Sequence, residues 1–287
     1  MLIVVPARHA STRFPAKPLA DICGISMVRR TAKIAQTAAR ELGCAYVVAT
    51  DHHDITAHCN AHDIPVIMTD SDLASGSDRA LAAAQDFKPE ADFIINLQGD
   101  APFTPPQHIV SIAGVLRAGA NVATPYIRLS WKALDDLRRN KDTTPFSGTT
   151  LIIGKNDGDE SGLGKDGRPK GETITNKAIW FSKAIIPAIR NEGVLRKASN
   201  ISPICRHIGL YGYRREALEQ FVSWPPSPYE TLEGLEQLRF LENGITIDCV
   251  EVTAPKIESS GIDSPEDLAR AEILIAQHGD PFVDIGA

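Results

Sequence analysis
At 287 residues with 43% hydrophobic content, the chain can bury a sizeable core as one large α/β domain or a domain with a substantial subdomain. A formal net charge of −6 argues against broad electrostatic binding to nucleic acid or an anionic membrane, so a local cluster of cations stands out against the background. The cysteines, 23, 44, 59, 205 and 249, are odd in number and form no CxxC pair, which favours reduced thiols over a disulfide framework or a zinc site. No apolar run approaches the roughly 18 residues of a membrane span, and the N-terminus carries no leader pattern. The expectation is a cytoplasmic protein whose partner is a small anion.

In chain order, residues 1–5 are short, β-branched and uniformly apolar, as in a strand buried on both faces of a parallel sheet. The loop that follows carries Arg8, Arg13 and Lys17 among stiffening prolines. Such a loop at a strand's carboxyl end is either a grip for phosphate oxygens or a solvated basic loop. Met27, Thr31, Ile34, Ala35, Ala38 and Leu42 recur at helical spacing, and Gly43 is placed to close that helix. Residues 45–50 (AYVVAT) form the second strand, after which Asp54 is the expected N-cap of the next helix. His58 and His62, four apart, are a metal pair or, with no third ligand near, surface histidines.

Residues 64–69 form a third strand, and Ser77 or Asp78 is expected to cap the helix over 80–84. Ser75 to Arg79 can be a ligand-binding helix start or a plain cap. The fourth strand, 92–98, runs into Gly99-Asp100, where a strand-end carboxylate is a candidate metal ligand or a turn residue. A helix over 107–116, a strand over 122–129 and a capped helix over 130–138 continue the alternation. The polar, glycine-rich segment 155–172 divides two strands, 149–153 and 178–181, that read as a hairpin with an enlarged tip.

Residues 208–213 are expected as a strand, with Arg206 and His207 just before it, and residues 215–222 as a helix. From 230 to 241 the leucines 232, 235, 238 and 241 repeat every three residues, which predicts one helix with solvated glutamates. A strand covers 245–252, Ser264 and Pro265 open the last helix, and Asp263 lies just outside its N-terminus. The tail after His278 is expected to be weakly ordered. Alternating strands and helices through the first half predict an α/β fold with a mainly parallel sheet covered by helices on both faces, the later hairpin forming a smaller lid or subdomain. Neither a GxxxxGK[ST] loop nor a GxGxxG turn follows the first strand. The three cations on one loop, the strand-end Asp100 and the remote Asp263 suggest a nucleoside triphosphate with Mg²⁺.

The motifs PARHASTRFPAKPL, VATD, SGSDR, NLQGDAP, FSKAIIP, RHIGLYGYR, SPYETLEGLEQLR and GIDSPEDL occur in that order along nearly the whole chain. Together they resemble the 3-deoxy-manno-octulosonate (Kdo) cytidylyltransferase family, which supplies lipopolysaccharide assembly. The resemblance implies a Rossmann-like nucleotide-diphospho-sugar transferase fold in a single domain. Within it, 1–130 would be the nucleotide-binding half, 131–252 the sugar-binding and dimerisation part with the insertion 155–172, and 253–287 the metal-ligand turn and last helix. It implies CTP held by Arg8, Ser11, Arg13, Lys17, Ser77 and Arg79, and Mg²⁺ held by Asp100 and Asp263. Lys17, Asp100 and Arg13 would be catalytic. The sugar acid would be read by Gln98, Arg190, His207, Tyr211 and Glu236, with Arg190 suited to a carboxylate. A homodimer is implied, with its contact placed at 224–241.

Three positions depart from the family pattern: Ala16 where glycine is usual, Ala74 where a polar residue is common, and Ala101 where glutamate follows Gly-Asp. Ala16 is compatible with the pattern if its φ is negative. The segment 142–177 differs most, which keeps an 8-amino-Kdo or a sialic-type acid open as substrate. A non-catalytic nucleotide-binding protein is the rival from another class, and it predicts decay at Lys17, Asp100 or Asp263, which is not seen.

Overall fold
The computed structural model describes residues 1–9, 14–154, 175–257 and 261–286. In chain order the elements are β1 (Leu2–Ala7), a 3-10 turn (Lys17–Leu19), β2 (Asp21–Ile22), β3 (Ile25–Ser26), α1 (Met27–Leu42), β4 (Ala45–Thr50), α2 (His53–Asn60), β5 (Val66–Met68), α3 (Gly76–Phe87), β6 (Phe93–Leu97) and α4 (Pro106–Arg117). They continue with β7 (Val122–Ser130), α5 (Trp131–Thr143), β8 (Thr150–Ile153), β9 (Thr175–Ser182), α6 (Glu192–Ala198), β10 (Ile201–His207), β11 (Leu210–Arg214) and α7 (Arg215–Ser223). The last are α8 (Pro228–Glu233), α9 (Leu238–Glu242), β12 (Asp248–Glu251), α10 (Pro265–His278) and α11 (Pro281–Gly286). Two compact units result: Met1–Ala113 with Gly209–Val222 and Ala254–Ala287, and Gly114–Ile208 with Ser223–Thr253.

The first unit orders its strands β11-β6-β1-β4-β5. β1 runs parallel to β4 and β6, β4 is parallel to β5, and β11 is antiparallel to β6. Every residue of β1 is buried, as an apolar run in the middle of a covered parallel sheet requires. α1 buries Met27, Thr31, Ile34, Ala35 and Ala38 and ends at Gly43, whose φ of 63° is the left-handed closure expected there. Because β1, β4 and β6 are parallel, their carboxyl ends open at one edge of the sheet, where ligand loops belong. Ile22, Met27, Phe103, Ile257, Ile262 and Ala271 pack together, with Phe14 laid against them. This cluster joins the turn after β1 to the start of α10.

The second unit orders its strands β10-β8-β9-β12-β7, and β10 pairs with β7 as well. Among the described residues the circuit of hydrogen bonds is therefore closed, an arrangement that protects strand edges. β8 and β9 form the expected hairpin, with Thr150 opposite Ser182; the expected enlarged tip at 155–172 lies outside the described residues. Ile127, Leu129, Trp131, Leu134, Leu137 and Ile204 form its core.

Several sequence expectations need correction. His52 caps α2, its side chain accepting the Asp54 N–H, so Asp54 lies in the first turn instead. Ser75, not Ser77 or Asp78, caps α3. Residues 230–241 do not form one helix: Gly234 takes φ 62° between α8 and α9, and the leucine repeat divides into a 78% exposed Leu232 and a buried Leu235 and Leu238. Glu230 is not solvated either, since it closes a capping box with Ser227 and receives two bonds from the Arg239 guanidinium, at 2.7 and 2.5 Å. Arg206 and His207 lie inside β10, a strand hidden in the sequence by its proline and charges. The tail beyond His278 is anchored: α11 follows Asp280, which pairs at 2.7 Å with the fully buried Arg30.

Arg239→Met is expected to destabilise the protein by about 3 kcal/mol, because it leaves the Glu230 carboxylate buried without its counter-charge. Urea unfolding of the variant beside wild type measures this.

Candidate active site
The site is assembled in the first unit at the carboxyl ends of β1, β4 and β6. Ser11 and Arg13 fall outside the described residues. Arg8 is exposed just past β1, and the His9 N–H donates to Asp51 at 2.9 Å. The other Asp51 oxygen accepts from Arg79 at 3.1 Å, and Arg79 also donates to the Thr69 hydroxyl at 2.5 Å. Arg79 is 0% exposed. Burial lowers its pKa, with Asp51 opposing the shift and Arg8 adding to it. Arg79 thus buttresses the loop through Asp51, a residue that sequence reasoning did not single out although it ends the VATD motif.

At the start of α3, the Ser75 hydroxyl accepts the Ser77 and Asp78 N–H groups at 3.1 and 3.2 Å. Ser77 is buried, its hydroxyl 3.5 Å from that of Tyr213. A Cβ on Gly76 would come within 3.3 Å of the Gln98 side-chain oxygen, so glycine there lets Gln98 lie over the helix start. Tyr211 is buried and stacks on Tyr213 with ring centres 5.9 Å apart.

Lys17 opens the 3-10 turn, preceded by Ala16 at φ 53°. The compatibility expected from a negative φ is therefore overturned: this alanine holds the left-handed conformation that glycine adopts freely. The Lys17 ammonium lies 2.9 Å from Asp100 and 2.9 Å from Asp263. Burial alone would lower its pKa, but Asp100 and Asp263 outweigh that and hold it above its ordinary value.

Two glycines make this convergence possible. A Cβ on Gly99 would sit 2.2 Å from the Pro6 carbonyl oxygen, so only glycine lets the chain turn past β1 and present Asp100. Gly261 takes φ 110°, and the Ile262 N–H then donates to the Asp100 carbonyl at 2.9 Å, which brings Asp263 alongside. The expected cap at Ser264 is present, accepting the Asp267 N–H, while Asp267 accepts the Asp263 N–H at 3.2 Å.

His9, His52 and Asp54 also bring possible ligand atoms within 4.8 Å of one another. However, the two imidazoles stack with centres 3.7 Å apart and planes 13° off parallel, so their in-plane lone pairs run side by side and do not converge. His58 bonds Ser26 at 2.7 Å and meets His62 edge to face.

The remaining expected sugar contacts belong to the second unit. Arg190 is exposed in the turn before α6, and Glu236 is half-buried between α8 and α9. His207 shares a 2.8 Å hydrogen bond with Thr124, and its ring meets Phe181 edge to face at 5.2 Å. Burial, and then the Lys183 ammonium, lowers its pKa to about 3, so the ring is neutral near pH 7.

A family model described as cytidylyltransferase matches residues 2–247. The chain belongs to the cytidylyltransferase family. It is 40% identical over 282 residues to a 3-deoxy-manno-octulosonate cytidylyltransferase of Maricaulis maris (strain MCS10), covering 98% of each chain. With its counterpart from Rhodopseudomonas palustris (strain TIE-1) it shares 39% identity over 277 residues, covering 96% of this chain and 97% of the other. Among solved structures it is similar to a CMP:2-keto-3-deoxy-manno-octonic acid synthetase complexed with CTP, at a TM-score of 0.74 and 30% identity, over 96% of this chain and 98% of that one. The resemblance and the α/β fold expected from the sequence are borne out. Within this cytidylyltransferase, Ala74 is exposed and Ala101 closes a turn onto the Gln98 carbonyl at 3.1 Å.

Ala16→Gly is expected to stabilise the protein by about 0.5–1 kcal/mol, since relief of left-handed strain exceeds the added freedom of the unfolded chain; the shift in thermal midpoint measures it. His207 provides a pH signature. Its folded pKa lies below the unfolded value of about 6.5, so the unfolded state binds more protons and stability falls as pH drops from there toward about 3. His207→Gln is expected to reduce the stability lost between about pH 7 and 5, measured by urea unfolding at both values.

Proposed function
We propose that the chain transfers the cytidylyl group of CTP to 3-deoxy-manno-octulosonate. The C2 hydroxyl oxygen of the sugar acid bonds to the α-phosphorus as the bond from that phosphorus to the β-phosphate's bridging oxygen breaks. The hydroxyl proton is lost, and the products are CMP-Kdo, for lipopolysaccharide assembly, and pyrophosphate. The observation that carries this reading is the convergence of Asp100 and Asp263 on one ammonium, 2.9 Å from each, at the carboxyl edge of the sheet. The cytidylyltransferase activity of the Maricaulis maris and Rhodopseudomonas palustris relatives supports the same reaction.

The donor set fits Mg²⁺. Two carboxylate oxygens already share one cation, and hard oxygen ligands are what that ion takes. Asp100 and Asp263 would hold it, and when bound it neutralises phosphate charge and orients the triphosphate. Arg8, Arg13 and Lys17 would bind phosphate oxygens by charge-assisted hydrogen bonds and stabilise the charge that builds at the α-phosphoryl group. Ser11 and Ser77 would hold the nucleotide, with Arg79 bracing the loop through Asp51. Gln98, Arg190, His207, Tyr211 and Glu236 keep their sugar-acid roles from the resemblance; a neutral His207 would act there as a hydrogen-bonding group and not as a cation.

The proposal extends to residues 1–287 acting as one nucleotidyltransferase domain, to the cytoplasm as its setting, and to a homodimer through 224–241. No helix among the described residues is long and apolar enough to cross a membrane. None of the described cysteines is in a disulfide, which suits a reducing compartment. In the expected contact region Tyr229 and Leu232 are 53% and 78% exposed, which suits a surface that meets a second copy.

Pyrophosphate release with a panel of nucleotides and sugar acids tests the reaction, with CTP plus Kdo expected to be productive. Release with UTP or sialic acid, and none with CTP plus Kdo or 8-amino-Kdo, would refute it. Asp100→Ala is expected to abolish turnover with circular dichroism unchanged; near-normal CMP-sugar formation in Mg²⁺ would sink the metal assignment.

A further inference from the structure
Lys17 stands where a second cation is wanted. Its Nζ is 2.9 Å from one oxygen of Asp100 and 2.9 Å from one oxygen of Asp263, and only 15% of its side chain is exposed. A divalent ion held by those carboxylates would take the same two oxygens that the ammonium already holds. Ion and ammonium therefore exclude one another by contact and by charge. Lysine's stem is flexible and its charge is a compact point, so the head can change partners while its backbone stays in place. A bare divalent ion would have to expel the ammonium from its two carboxylates and leave it with no anion in exchange. A triphosphate supplies that anion.

The geometry points to Lys17 as a built-in counter-ion that fills the divalent-ion position until a nucleotide arrives and draws its ammonium away. Metal capture is then conditional on CTP, and by linkage the metal tightens CTP by the same factor. The idea rests on the metal reading of Asp100 and Asp263 given above.

Titration of the nucleotide-free full chain with Mn²⁺, free ion being followed by its electron paramagnetic resonance signal, tests it. Lys17→Met and Lys17→Gln are expected to bind Mn²⁺ at least tenfold more tightly than wild type in the absence of nucleotide, while Lys17→Arg stays as weak as wild type. Equal affinity of wild type and both neutral variants, all folded by circular dichroism, would overturn the inference. A second titration with CTP present separates its failure from that of the metal reading. If Asp100→Ala abolishes the CTP-dependent retention of Mn²⁺ by protein, the metal site stands whatever Lys17 does. Undiminished retention in Asp100→Ala removes the metal site, and the inference with it.

Discussion
Two carboxylates gathered around one ammonium set the terms for the first unit. With each oxygen 2.9 Å from Lys17 Nζ, the two negative charges lie at most about 6 Å apart, a repulsion of about 3 kcal/mol at an effective dielectric constant near 20. Nothing in either local segment favours that arrangement by itself. It depends on backbone that only glycine supplies: Gly99, where any Cβ meets the Pro6 carbonyl, and Gly261, held at φ 110° against Asp100. The apolar cluster of Ile22, Met27, Phe103, Ile257 and Ile262 then holds both turns on the same support. The Lys17 ammonium offsets that repulsion, and burial of the apolar side chains holds in place the turns that bring the three charges together.

A second layer lies behind the carboxyl end of β1. Asp51 takes the His9 N–H with one oxygen and the Arg79 guanidinium with the other, so β4, α3 and the loop after β1 share one charged junction. Arg79 has no exposed surface, and its Nε finds no hydrogen-bond partner among the described residues. Such a guanidinium is stable only beside its carboxylate. The anchor of His9 is thus electrostatic, and local composition gives no sign of it.

The strands of the first half were legible because burial on both faces writes itself as an unbroken apolar run: 45–50 is met residue for residue by β4, and β1 and β6 differ from their expected bounds by a few positions. Asp100 was legible for the same reason, since a polar residue at the end of an apolar run is conspicuous, whereas Asp51, which follows β4 in the same way, gave no sign of its partners. What escaped was whatever depends on partners distant in sequence. β10 breaks the apolar rule with Pro203 and Arg206 because the closed circuit with β7 and β8 supplies its pairing. The leucine triplet repeat from 232 to 241 mimicked one helix because periodicity does not report that Glu230 has Arg239 as its partner, nine residues on. Helix caps were misplaced by two or three residues where neighbouring polar side chains all had cap chemistry, and only backbone conformation distinguishes Ser75 from Ser77. Asp280, anchored by a buried Arg30 at a separation of 250 residues, was invisible to any local reading.

Ala16 shows most directly how the surroundings overrule the residue. Left-handed backbone costs an alanine roughly 1–2 kcal/mol, a visible fraction of the 5–15 kcal/mol that holds an ordinary protein folded. The conformation persists because its neighbours determine it from both sides: the Ala16 N–H donates to the His9 carbonyl at 3.1 Å, and the Ala16 carbonyl accepts from Leu19 at 2.8 Å. Those two bonds fix where the turn begins and how it proceeds, and Lys17 leaves the turn at the next residue. An alanine that relaxed to negative φ would break one or both and swing the lysine off its carboxylates. The strain is therefore borne at the position whose geometry aims the central cation, where strained backbone is commonly found. At φ 53° an alanine is held here in a conformation that glycine adopts freely.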